Sequence, residues 1–208
     1  MKGDDLMNSK IFKKVLAVAL AATLMTMPVV AGATDQAEAQ APAEVVSATA
    51  PVVIAGTTLK SDVAGAVSIP KTAAIAGVVV RQSTADIKAT AGLGKAETPF
   101  VRAYEITEKK SPAAYASFKA AAAASGGTVL DAVNIDLGKM AGGKFADLPA
   151  GVSVPTTVAV KNANGRTLAV AKVLPGGATE ILQDTDDNPN TVTFPITGGL
   201  AAYAVLAY

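Results

Sequence analysis

The densest group of side chains able to do chemistry is the run Asp184-Thr185-Asp186-Asp187-Asn188-Pro189-Asn190. Carboxylate and amide oxygens are the hard ligands that calcium prefers, and Asp184, Asp186, Asp187 and Asn188 are the candidate ligands. The run lacks the Gly at position six and the Glu at position twelve of the helix-loop-helix calcium loop, and Pro189 stops the helical continuation that loop needs. The plainer reading is a hairpin loop in which Asp and Asn side chains satisfy their own backbone. Acid pairs come next, because glycoside hydrolysis needs only two carboxyl groups about 5 to 9 Å apart. Asp131 and Asp136 have opposite parity and face opposite sides of a strand, while Glu105 and Glu108 flank the charged Lys109-Lys110. Neither pair reads as an acid and base. Arg102 and Tyr104 share one parity and form the best candidate platform for a ligand such as a glycan.

Composition removes most other reactions. With no Cys, no His and no Trp, the chain has no His-based triad, thiol nucleophile, disulfide or zinc site of the usual kind. It contains no G-x-S-x-G elbow. No catalytic residue is assigned, no cofactor is expected beyond weak calcium, and the chain reads as a non-enzyme. Half of its 208 residues are hydrophobic, yet aromatics are only 4%. The 44 alanines account for much of that half, so the core must be built from small aliphatic side chains.

The amino terminus reads as a secretory signal. Lys10, Lys13 and Lys14 precede an uncharged stretch from Val15 to Val30, which meets Ala31-Gly32-Ala33, the small residues a signal peptidase reads. Cleavage after Ala33 leaves a mature chain of formal charge −1, too weak a field to gather phosphates or an anionic membrane. Nucleic acid is therefore not an expected partner, and no membrane anchor remains once the signal is removed. Residues 34–51 read as a disordered linker, since Ala, Gln, Glu and Pro cannot bury enough surface to offset their ordering entropy.

A folded domain is expected over 52–208, with a possible sub-boundary near 127. Strands are expected at Thr57–Leu59, Ala66–Ile69, Ile75–Gln82, Phe100–Ile106, Thr128–Leu137, Val152–Val160, Arg166–Leu174, Ala178–Gln183, Thr191–Ile196 and Leu200–Ala207. The last four, joined by short turns, read as an antiparallel meander. A single Ala-rich helix is expected near 111–125, with Ser111 capping it, Pro112 at its first position and Gly126-Gly127 ending it. Together these predict a mainly β fold, an antiparallel β-sandwich, Ig-like in general architecture.

The order Val133-Asn134-Ile135-Asp136-Leu137, Gly165-Arg166-Thr167-Leu168-Ala169-Val170, Glu180-Ile181-Leu182, Val192-Thr193-Phe194 and Tyr203-Ala204-Val205 resembles the carboxy-terminal β-sandwich modules of secreted and cell-surface proteins of Firmicutes. The likeness covers Val133 to Tyr208. It implies a secreted, extracellular or envelope-associated module that contacts a protein or a cell-wall polymer, with no catalytic residues to carry over.

Overall fold

Small β-branched residues in alternation favour paired strands over helices, and strands dominate the computed structural model, which describes residues 51–65, 69, 72–149 and 151–208. The signal and nearly all of the linker expected from the sequence lie outside the described residues. Those described fall within the compact unit Gln40–Tyr208.

A short hairpin pairs β1 (Val52–Ile54) with β2 (Thr57–Leu59), followed by the two-residue β3 (Ala64–Gly65) and by β4 (Ile75–Val80). The helix α1 (Thr84–Thr90) leads to β5 (Glu97–Ile106), and α2 (Pro112–Ser125) leads to the long β6 (Thr128–Ala141). The remaining strands are β7 (Lys144–Asp147), β8 (Ser153–Val160), β9 (Leu168–Val173), β10 (Thr179–Gln183), β11 (Thr191–Thr197) and β12 (Ala202–Ala207). The larger sheet has the order β10-β9-β12-β6-β5-β3, with β7 also on β6. The smaller one has the order β11-β8-β4.

The alternation seen in the sequence decides what faces what. Val78, Val154, Val158, Phe194 and Ile196 of the smaller sheet pack against Val101, Val133, Ile135, Tyr203 and Val205 of the larger one. This is a sandwich-like core, and Phe194 and Tyr203 meet within it at 5.3 Å between ring centroids. The outer side of the smaller sheet is covered by the β1–β2 hairpin, through Val52 and Leu59 on Val79 and Ala159. The outer side of the larger sheet is covered at one end by α2, whose buried Phe118 and Ala122 sit on Ala132, Ala171, Ala204 and Leu206. Alanines on the strands let the helix approach closely. Full burial of Phe118 contributes about 2–3 kcal/mol.

Several expectations need correction. The described residues hold two helices rather than one: Ser83, which accepts a hydrogen bond from the Asp86 N–H, nucleates α1, and Ile87 anchors it in the core. Ser111 makes no side-chain capping bond; α2 starts on Pro112, whose missing N–H leaves one fewer unpaired donor in the first turn, and ends at Gly126 with φ +77°. The meander is also not formed. Only the β9–β10 hairpin follows it; β11 leaves for β8 in the other sheet, and β12 inserts between β9 and β6. The reason is burial: Val192, Phe194 and Ile196 cover the inner face of the larger sheet only from the opposite layer. Of the expected strand Ala66–Ile69, residues 66–68 lie outside the described residues, and the nearest strand is β3, whose pairing with β5 is parallel. Residue 127 joins α2 to β6, an element of the same sheet as β5.

Candidate functional site

Helix α2 covers only part of the larger sheet's outer face. Beyond it, the β5–β6 register places Arg102 opposite Asp136 and Tyr104 opposite Asn134. The β12–β6 register places Ala202 beside Asn134, and the Leu137–Gly199 bridge brings Leu200 next to Asp136. The result is a surface strip of Arg102, Tyr104 and Leu200 over a floor of Asn134 and Asp136.

The floor is internally bonded. Asp136 and Asn134 are buried, and the Asn134 side-chain amide donates to Asp136 Oδ1 at 2.6 Å. Arg102 donates to Asp136 Oδ2 at 3.1 Å. The pair is asymmetric: the arginine side chain is 44% exposed and the aspartate side chain 8%. Burial pushes the Asp136 carboxyl above its usual range, outweighing the opposing pull of Asn134 and Arg102. Burial likewise raises the Tyr104 phenol, with the nearby Asp136 adding to the effect.

An aromatic group fixes the other side of the guanidinium. The Phe145 ring centroid lies 3.8 Å from Arg102 Cζ, and Phe145 meets Phe100 edge-on at 6.3 Å. Phe145 can lie there because Gly138 has no side chain; a Cβ at that position would collide with the ring and with the Ala146 carbonyl. Stacking on one side and the carboxylate below hold a normally mobile side chain in one orientation. Sequence reasoning found Arg102 and Tyr104 but did not set them beside Asn134 and Asp136. It missed the pairing of Asp136 with Arg102, and missed Phe145 and Leu200, because cross-strand register carries no local signal.

The candidate calcium loop is organised differently. Side chains of Asp184, Asp186, Asn188 and Asn190 are partly buried, while Asp187 is exposed and outside the set. Asp184 Oδ1 accepts from the N–H groups of Asp186 and Thr193 at 3.0 and 2.9 Å. Asp186 Oδ1 accepts from the Asn188 N–H at 2.8 Å and the Thr191 hydroxyl at 2.9 Å, and its Oδ2 accepts from Thr193 Oγ1. Asn188 Oδ1 accepts from the Asn190 N–H at 3.0 Å. Burial raises the Asp184 carboxyl despite the N–H donors that oppose it. The oxygens proposed as ligands thus hold the loop against β11, where the Thr185 N–H also donates to the Thr193 carbonyl at 2.9 Å.

The acid pairs do not converge. Asp131 accepts from the Ala74 N–H at 2.9 Å, whereas Asp136 serves the opposite face, and Glu108 pairs with Lys119 at 2.6 Å. Among the described residues no helix is long and apolar enough to cross a membrane. Comparison of the chain with protein-family models, with curated proteins and with solved structures finds no match.

Proposed function

We propose that this chain is a secreted, non-enzymatic module of Ig-like sandwich architecture that acts in the extracellular space or cell envelope by contacting a protein or a polymer. The observation that carries this reading is the strip beside α2. Arg102 and Tyr104 stand at the surface next to the exposed Leu200, and the buried Asp136 beneath them, itself bonded by Asn134, holds the Arg102 guanidinium in place. Arginine and tyrosine around an apolar contact are the residue types that dominate binding energy at protein interfaces. Preorganisation lowers the entropy lost on binding. The basic, apolar and small-residue order of the leader supports export, and the likeness to Firmicutes surface modules belongs to the same reading.

A second reading, a glycan contact, is favoured by one feature: Phe145, edge-on to Phe100, stacks on the Arg102 cation, whose N–H groups can meet sugar hydroxyls. One experiment addresses both. The domain without residues 1–33 is incubated with isolated cell-envelope material, before and after protease treatment, and with purified wall polysaccharide. Retention lost in the double variant Arg102→Ala/Tyr104→Ala supports the strip, and its sensitivity to protease separates protein from polymer. Equal retention of the variant and the parent on every material contradicts the proposal.

A further inference from the structure

The edges of the sheets are not alike. An edge strand exposes a row of backbone groups that another chain can pair with, and proteins guard such edges with loops, prolines or charges. On β11, Thr193 is closed off by Asp184 and Thr185, and Pro195 has no N–H to offer. On β4, the Ile69 N–H donates to the Ala76 carbonyl. On β5, the parallel β3 lies against Phe100 and Val101.

β10 carries none of these covers. It pairs with β9 in unbroken register from Thr179↔Val173 to Gln183↔Ala169. The Leu174 N–H donating to the Ala178 carbonyl sets the phase of the ladder. Glu180 and Leu182 therefore bond to β9, while Thr179, Ile181 and Gln183 turn their N–H and C=O groups outward. Among the described residues nothing reaches those groups, β10 contains no proline, lysine or bulge, and its one charge, Glu180, lies 3.8 Å from Lys172 of β9. Thr179, Glu180 and Gln183 are exposed and Ile181 half-buried.

We propose that the open edge of β10 pairs with β10 of a second copy of this chain, antiparallel and centred on Ile181. In that register Ile181 meets Ile181, Thr179 meets Gln183 and Glu180 meets Leu182. Every outward N–H and C=O finds a partner, an apolar pair sits on the axis, and no like charges oppose each other. The same patch serves both copies, so the assembly closes at two. A heterologous strand could use the same hydrogen bonds, but the self-complementary side-chain pattern favours this chain. The inference is independent of the Arg102 strip, which lies on the sheet's outer face across β5 and β6.

The test is sedimentation equilibrium of the domain without residues 1–33, from about 10 µM to about 1 mM, the range in which small interfaces associate. The expected result is a mass rising from one copy to two. Ile181→Pro removes an N–H that points away from β9, and Thr179→Lys/Gln183→Lys sets like charges across the axis. Both should shift the midpoint at least tenfold to higher concentration while retaining the parent's circular dichroism. A parent that stays monomeric throughout, including one that captures a foreign strand peptide instead, overturns the proposal. So does a dimer that both folded variants leave intact.

Discussion

Two aspartate-centred clusters lie on different sheets and use their carboxylates in opposite ways. In the 184–190 loop, Asp184 and Asp186 accept from backbone N–H groups and threonine hydroxyls, and the cluster is complete in itself. Under the Arg102 strip, Asp136 accepts from Asn134 and Arg102, and the product is an exposed cation held in one place. The loop is rich in acids whose oxygens accept hydrogen bonds from the protein; the strip contains one acid and presents its cation to solvent. Counting carboxylates along a sequence therefore does not show how each is used, because direction depends on the neighbours across the sheet.

The sharpest way to break this comparison is to remove a structural carboxylate. Asp186→Ala leaves the Asn188 N–H and the hydroxyls of Thr191 and Thr193 without their acceptor, and should destabilise the domain by about 2–4 kcal/mol in urea unfolding. Retention on envelope material should survive under folding conditions. A loss of retention in folded protein would place the loop in the contact surface.

Gly138→Ala probes the strip from beneath. The new methyl group displaces Phe145 and presses on the Ala146 carbonyl, with an expected cost of about 1–3 kcal/mol. Freed from its ring, Arg102 should also bind more weakly, which retention assays would detect.

Asp136→Asn addresses the buried charge through pH. Because burial raises the folded-state pKa of Asp136, the folded protein holds this proton more tightly than the unfolded chain does. Ionised Asp136 therefore disfavours folding at neutral pH, and that cost fades as pH falls through the raised pKa toward the ordinary range near about 4. The Tm of Asp136→Asn minus that of the parent should be greatest near pH 7 and decline on acidification. A constant difference would mean that the carboxyl is not desolvated.

Least affected should be the exposed member of the loop. Asp187→Ala should change stability by less than about 0.5 kcal/mol. Millimolar calcium should leave the Tm of the parent where EGTA leaves it, because the inward oxygens already accept protein hydrogen bonds. A rise in Tm with calcium would show that the loop exchanges those bonds for a metal.

Much of the fold was legible residue by residue. Strands β8 and β11 follow from alternating valines and threonines, β9 and β12 from apolar runs between glycine and asparagine turns, and α2 from Pro112 and its alanines. The shorter helix was overlooked, although Ser83-Thr84-Ala85-Asp86 carries a capping pattern. The extension of β6 past Leu137 was missed because Gly138 reads locally as a turn, whereas its role is to admit the ring of Phe145. Strand pairing was the real gap. Sequence neighbours β10 and β11 belong to different sheets, and the meeting of Arg102 with Asp136 follows from a register that neither strand specifies alone.

The direct test of the central claim is the affinity of the domain without residues 1–33 for envelope material, compared among the parent, Arg102→Ala/Tyr104→Ala and Asp187→Ala, all shown to be folded. The account predicts at least tenfold weaker binding for the double variant, equal to about 1.4 kcal/mol or more, and parental binding for Asp187→Ala. Unchanged affinity in the double variant, or a loss confined to Asp187→Ala, would contradict it.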